Sequence, residues 1–196
     1  CAALIQDAAG ANPPAMPPPQ PPQPTPPDAT ADADAYRAAM RRWPSGVTVI
    51  TMVSDGVPHG MTASAFTSVS VAPPMVLVVI DRRWRSHARV AATGAFCVNV
   101  LAADQSTRSD VFAGRVGDAV DRFADVPYGT AVTGCPCFDD AVAWFDCVVD
   151  RAYDAGDHTI FVGRVAACHA GDENATPLVF HNTRYARLID LDDAGT

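Results

Sequence analysis

Two long β-rich runs, residues 141–153 and 158–169, are separated only by Asp154-Ala155-Gly156-Asp157. A link this short closes a tight turn and leaves no room for a crossover helix, so the two runs must pair antiparallel. The same grammar recurs upstream. Val47-Thr48-Val49-Ile50-Thr51-Met52-Val53 is rich in β-branched residues and runs into Ser54-Asp55-Gly56, a turn signal that folds the next segment back on it. Further strand-like runs lie at 75–80, 96–101, 177–180 and 185–189. Three short helices are expected. One spans 34–43, with Asp32 or Asp34 as cap, Tyr36, Ala39, Met40 and Trp43 on one face, and Pro44 ending it. A second spans 86–93, capped by Ser86 and ended by Gly94. A third spans 104–112, and residues 113–140 read as irregular. Many strands at short spacing with few helices predict a mostly β, antiparallel barrel. The βαβα alternation of a Rossmann fold is missing, as are GxGxxG, GxxxxGK[ST], HExxH and GxSxG motifs.

Charge narrows the function classes. The net charge is −8, and all 14 basic residues are arginines. An acidic chain lacks the clustered basic surface that nucleic acid demands, so no nucleic-acid partner is expected. No apolar run approaches the roughly 18–20 residues that span a bilayer, so no membrane span is expected either. The one basic cluster, Arg82-Arg83-Trp84-Arg85 with Ser86, His87 and Arg89, is sized for one or two phosphates of a small cofactor. Its plain alternative is a solvated loop. The six cysteines form no CxxC pair and no zinc spacing. Cys97 and Cys147 are expected to pack as small hydrophobes, and Cys135-Pro136-Cys137 is the one pair of note. Reduced thiols and a cytoplasmic location are the expectation.

Residues 1–32 stand apart, because prolines and glutamines dominate 12–28. Such a segment lacks backbone donors and apolar mass and is expected to be a disordered tail, with the folded domain at 33–196. A lipid-anchored tether beginning at Cys1 and a docking segment for another protein are the alternatives.

The stretch from Gly60 to Ser70, closed by Pro73-Pro74, is rich in small polar residues between apolar strands. Small side chains let a ligand approach the backbone, and Ser and Thr hydroxyls can bond it, so this stretch is expected to floor a cofactor site. Ser68 and Ser70 alternatively form the polar face of an alternating strand. His59 reads as a surface residue, Asn99 as a partner of sheet backbone, and Trp43, Phe66 and Phe96 as core.

Four segments together resemble the flavin reductase-like, FMN-binding split-barrel family, the small components of two-component flavin-dependent monooxygenases. They are Tyr36-Arg37 through Trp43-Pro44-Ser45-Gly46-Val47-Thr48-Val49-Ile50-Thr51, then Asp55 through Ser70 with Gly60-Met61-Thr62-Ala63-Ser64-Ala65-Phe66 at its centre, then Gly94 through Leu101, then Gly156-Asp157-His158-Thr159-Ile160-Phe161-Val162-Gly163-Arg164-Val165. The resemblance covers residues 35–190 and implies a split antiparallel (Greek-key) β-barrel with a few short helices. It implies an NAD(P)H-dependent flavin reductase that reduces FMN or FAD with NADH or NADPH and supplies reduced flavin to a separate oxygenase, and it implies a homodimer. By the same resemblance Thr62, Ala63, Ser64 and Ala65 line the flavin ring, with Ser45 and Val47 nearby. The segment from Asp81 to Arg89 holds the phosphate end, with Ser86 and Arg89 foremost. His158 lies near the nicotinamide and carries the catalytic role, and Tyr185 closes the pocket. Trp84 departs from the family, which often carries Ser there. The competing functions are a flavoprotein that keeps its flavin and acts on its own substrate, and a flavin-binding or docking module without turnover. No nucleophile or acid–base pair is evident, and hydride transfer between bound cofactors needs none.

Overall fold

A computed structural model describes residues 31–117 and 121–189, so the Pro-rich segment and Cys1 lie outside the described residues. The chain begins with helix α1, Ala33–Met40, capped by Asp32, whose carboxylate accepts from the Asp34 and Ala35 amides. Strand β1, Ser45–Gly46, is short, and β2, Thr48–Ser54, carries the apolar run. Asp55 and Gly56 both adopt positive φ, 54° and 74°, the two-residue geometry that a right-twisted hairpin requires, and β3, Val57–Ala63, returns along β2. Then follow β4 (Phe66–Val71), β5 (Pro74–Asp81), α2 (Arg85–Thr93, ended by Gly94), β6 (Ala95–Val100) and α3 (Ser106–Phe112). The irregular stretch yields two short strands, β7 (Tyr128–Thr130) and β8 (Pro136–Phe138), before the long hairpin β9 (Ala143–Ala155) and β10 (His158–Ala170). Strands β11 (Leu178–His181) and β12 (Arg184–Arg187) complete it.

Seven strands form one antiparallel sheet in the order β3-β2-β6-β9-β10-β5-β4, and β1-β11-β12 form a second. The two edges of the large sheet, β3 and β4, are joined only by Ser64 and Ala65. A link of two residues reaches about 7–10 Å, so the edges must meet and the sheet must curl shut. Register shifts in β10 and β4 supply the local bends that such curling needs. The result is the split antiparallel barrel that the strand spacing and the resemblance predict.

One core cluster fills the barrel, with Ile50, Val78, Ile80, Phe96, Val98 and Phe161 fully enclosed. A second, containing Val47, Leu101, Phe112, Phe138 and Leu178, seals the smaller sheet and α3 against it. Cys97, Cys135 and Cys137 make a third small buried cluster, so the cysteines pack as hydrophobes and remain free thiols. Asn99 is fully buried and spends its side chain on backbone, donating to Val49 and Pro136 carbonyls and accepting from the Phe138 amide at 2.7 Å. That pins β8 to the barrel wall, a longer reach than the in-sheet bond expected of it.

Two expectations are corrected. Trp84, not Ser86, is the N-cap of α2, and it makes no side-chain cap bond. Trp43, expected in the core, is 69% exposed, because it follows the end of a helix that buries no residue in this chain. Among the described residues no helix is long and apolar enough to cross a membrane.

Candidate functional site

The fold divides the small-residue stretch. Gly60–Ala63 ends β3, Ser64 and Ala65 form the closing link, and Phe66–Val71 is β4 on the opposite edge of the sheet. The expected single floor is therefore a seam. Ser64 and Ala65 are exposed at the seam, and the Ala65 carbonyl accepts from the Val79 amide at 3.0 Å. The Ala63 carbonyl accepts from Thr48 Oγ1 at 2.7 Å. Ser68 sits on the exposed side of β4 and Ser70 is half-buried.

A cleft of about 900 Å³ opens on one side of this seam, within the range usual for small-molecule sites. Its walls come from β3 (His59, Gly60, Thr62), from the turn and first half of α2 (Arg83, Trp84, Arg85, Ser86, Arg89), and from the end of α3 (Phe112) and the segment after it (Gly114, Arg122, Phe123). Gly60 is required here by close approach. A Cβ on it would stand 2.6 Å from Phe112 Cε1, inside any real contact distance. Phe112 is itself held edge-on by Phe123 at 5.1 Å and tilted against Phe138 at 5.6 Å. Thr62 Oγ1 donates to the Ser109 carbonyl at 2.6 Å, which ties β3 to α3. Its hydroxyl proton is thus committed, and it offers a ligand its lone pairs, its shape and its backbone.

The cleft inverts the charge of the chain. Four of the 14 arginines line it against one carboxylate, Asp121. They are not equally available. Arg83 grips Asp81 with Nε and Nη2, at 3.0 and 2.6 Å to Oδ2, while its amide bonds Oδ1 at 2.8 Å. That bidentate bond holds the Asp81 carboxyl down at about 2. Arg122 reaches the Gly60 and Phe112 carbonyls, each at 3.4 Å. Arg82, the first of the basic run, points elsewhere and clips the β9–β10 turn through the Gly156 carbonyl at 3.0 Å. Arg85 and Arg89, one helical turn apart and so on one face of α2, form no ion pair among the described residues. His59, half-buried rather than on the open surface, has its pKa lowered by burial first and by the Arg89 charge second. It adds a neutral ring to a cationic wall.

A second cleft of about 450 Å³ includes the seam itself, lined by Tyr36, Met40 and Trp43 of the α1 region with Ser45, Ser64, Ala65 and Phe180. Thr62 and Ser64 are two residues apart, so the clefts meet within about 7 Å of chain. Val47 lies in neither. Its side chain is 2% exposed in the second core cluster, and its amide and carbonyl bond Leu178 and Leu101.

His158 opens β10 directly opposite Asp81 of β5. Its Nδ1 meets Asp157 Oδ1 at 2.6 Å, and that bond lowers the Asp157 carboxyl pKa. With Nδ1 engaged by the carboxylate, Nε2 is left as the ring's other hydrogen-bonding nitrogen. His158 lines neither cleft and is linked to the larger one through Asp81 and Arg83. Tyr185 of β12 donates to Asp110 Oδ1 at 2.6 Å and meets Ser109 Oγ at 3.0 Å, and burial together with Asp110 raises its pKa. Thr62 and Tyr185 thus converge on one residue, Ser109. The fold brings Thr62, Ser86 and Arg89 to one cleft, Ser45, Ser64 and Ala65 to its neighbour, and Ala63 to the end of β3 between them. It sets Asp81 and His158 beside each other.

A family model described as "Flavin reductase like domain" matches residues 40–188. The chain belongs to that family. It is 41% identical over 169 residues to a "Flavin reductase (NADH)" of Kitasatospora aureofaciens, covering 84% of this chain and 86% of that one. A "Probable flavin reductase" of Rhizobium meliloti is 43% identical over 138 residues, 69% of this chain but only 43% of the relative's length. Among solved structures, the Streptomyces globisporus NADH:FAD oxidoreductase SgcE6 in complex with NAD and FAD fragments superposes with a TM-score of 0.74 at 34% identity, covering 82% and 94% of the two chains. The family model begins at Met40, inside the last turn of α1, and ends at Leu188, so it spans every strand, all of the larger cleft, and the second cleft except for Tyr36 and Arg37.

Sequence reasoning missed Phe112, Gly114, Arg122 and Phe123. They come from a helix end and an irregular segment distant in sequence from the other wall, with no local pattern to mark them.

Proposed function

We propose that the protein is an NAD(P)H:flavin oxidoreductase that reduces FMN or FAD and releases it to a separate flavin-dependent oxygenase. The observation that carries this reading is the arginine-lined cleft abutting the small-residue seam. Cations suit a nucleotide phosphate, and the seam suits a flat ring that must lie close to backbone. When bound, flavin and nicotinamide supply the hydride chemistry, and the protein's task is to stack and align them. Arg89 and Arg85 hold the phosphate end, with Ser86 beneath them. Thr62, Ala63, Ser64 and Ala65 shape the ring position, and Ser45 borders it from the smaller sheet. Asp81 fixes the turn that presents α2. Asp157 holds the His158 ring with Nε2 outward, where it accepts from or contacts the nicotinamide. Tyr185 braces α3, on which Thr62 rests. The Val47 side chain supports the seam from inside the core and touches no ligand.

The unit that acts is 33–196, and the Pro-rich segment 1–32 is dispensable for turnover. The protein works as a cytoplasmic homodimer. The exposed α1 face, with Tyr36, Met40 and Trp43 beside the second cleft, favours a second copy there.

Steady-state assays crossing FMN and FAD with NADH and NADPH test the reading, alongside a spectrum of the purified protein. Flavin-stimulated NADH oxidation above the no-enzyme rate is expected. Its absence overturns the reductase reading, and flavin that survives gel filtration favours a protein that keeps its cofactor. Truncation of residues 1–32 leaves turnover unchanged, and His158→Ala raises the KM for the nicotinamide nucleotide more than that for flavin. A single species of twice the chain mass by light scattering is expected.

A further inference from the structure

Trp84 is the feature that the proposed function leaves unexplained. Its ring is 59% exposed on the wall of the larger cleft, and among the described residues it makes no ring contact with another aromatic side chain. It is nevertheless held in place. The Trp84 amide donates to the Asp81 carbonyl at 3.2 Å, closing the turn that Arg83 and the Asp81 carboxylate brace. Its carbonyl accepts from His87 at 3.0 Å, and the His87 ring is anchored by Thr159 at 2.8 Å and by Phe161. A large aromatic surface is thus presented to solvent from a rigid turn. Next to it in the chain is Arg85, and one helical turn on is Arg89, both facing the same cleft without an ion-pair partner among the described residues.

We propose that Trp84, Arg85 and Arg89 bind the adenosine diphosphate half of a dinucleotide, with adenine stacked on the indole and the pyrophosphate on the two guanidinium groups. This rests on the reading of the cleft as a flavin and nicotinamide nucleotide site. A mononucleotide brings one phosphate and no second ring, and so leaves the indole and one arginine unused. A dinucleotide uses all three. FAD and NAD(P)H both carry this half, and stacking is tolerant enough to serve either.

The test is binding rather than turnover. Titration calorimetry on the full chain compares FAD with FMN, and NAD⁺ with nicotinamide mononucleotide, for the wild type, Trp84→Ser and Trp84→Phe. The Ser variant is expected to lose about 5- to 100-fold in affinity for the dinucleotide concerned, the scale of one base–aromatic stack, and nothing for the mononucleotide. The Phe variant retains most of the affinity. Loss confined to FAD identifies the flavin as the source of the adenine, and loss confined to NAD⁺ identifies the nicotinamide nucleotide. Quenching of tryptophan fluorescence by the same dinucleotide disappears in Trp84→Phe. Because Trp84 is exposed, the variants keep the wild-type melting temperature. Equal losses for dinucleotide and mononucleotide, or no loss for any ligand, overturn the proposal while leaving the flavin site intact. A wild type that binds none of the four ligands overturns the reading of the cleft itself.

Discussion

Gly60→Ala probes the join between fold and site. The added Cβ would lie 2.6 Å from Phe112 Cε1, 2.7 Å from Cδ1 and 3.3 Å from Val49 Cγ1. Phe112 is 1% exposed and backed by Phe123 and Phe138, so the ring has no room to yield into the core. Overpacking of this kind costs about 1–3 kcal/mol. Replacing glycine also restricts the unfolded chain, which returns about 0.4–1 kcal/mol. The net is a destabilisation of about 0.5–2 kcal/mol, or a fall in melting temperature of roughly 1–8 °C for a domain of this size. The ring's remaining direction of relief is the cleft, which both Gly60 and Phe112 line, so flavin affinity falls with stability. Gly46→Ala is the control, because a Cβ there meets nothing within 4 Å. It is expected to be neutral or slightly stabilising. The double variant Gly60→Ala, Phe112→Leu isolates the clash. If the ring is the obstacle, the Ala substitution costs less in the Leu background, with a coupling of about 0.5 kcal/mol or more. Differential scanning calorimetry and flavin titration read both quantities. A Gly60→Ala protein that melts at the wild-type temperature and binds flavin equally well refutes the reasoning, and so does an equal fall for Gly46→Ala.

Three further outcomes follow from buried polar groups. Asp146 is fully buried and accepts from the Val132 and Thr133 amides at 2.8 Å each, as well as from the Thr133 hydroxyl. Asp146→Asn sets an amide donor against those donors, so a loss of about 1–3 kcal/mol is expected, with faster hydrogen exchange across residues 131–138. The Asp81 carboxyl, at about 2 when folded, lies below its unfolded value of about 3.9. Its contribution is therefore complete above about pH 4 and is lost as pH falls towards 2, and Arg83→Ala should flatten the acid limb of the stability profile in that window. Tyr185→Phe removes the bond to Asp110 and should cost about 0.5–1.5 kcal/mol, read as a lower urea midpoint at unchanged slope.

What the sequence made legible was what its local order determines. Asp55-Gly56 and the link from Asp154 to Asp157 close turns by their own conformations, and each forces an antiparallel pair whatever surrounds it. Gly94 ends α2 where a glycine was expected to end it. The small-residue stretch was read as room for a ligand, and at Gly60 the close neighbour is a side chain of the same chain, Phe112. Its division into two strands on opposite edges of a closed sheet was not readable, because alternation within a strand says nothing about which edges meet. Trp43 was misread for a related reason. Aromatic character predicts burial only if a neighbour exists to bury it, and α1 has none within one chain.

The charge of the cleft shows the limit most clearly. A net charge of −8 argues against a nucleic-acid surface, yet it averages away a wall of four arginines. Three of those four, Arg83, Arg85 and Arg89, lie close together in sequence and were visible as a cluster. Their roles were not, because availability depends on bonding. Arg83 is spent on a carboxylate two residues earlier, and Arg82, a neighbour outside the wall, is spent on a turn more than seventy residues later. The first pairing is local and could have been anticipated from Asp81-x-Arg83. The second depends on β5 pairing with β10, which only the folded sheet supplies. Setting aside Arg83 and also Arg122, which reaches the Gly60 and Phe112 carbonyls, leaves Arg85 and Arg89 following an exposed indole in the chain. Trp84, a mere departure from the family pattern by sequence, thereby stands on a braced turn just ahead of two cations that form no ion pair among the described residues, and that setting gives the departure a chemical meaning.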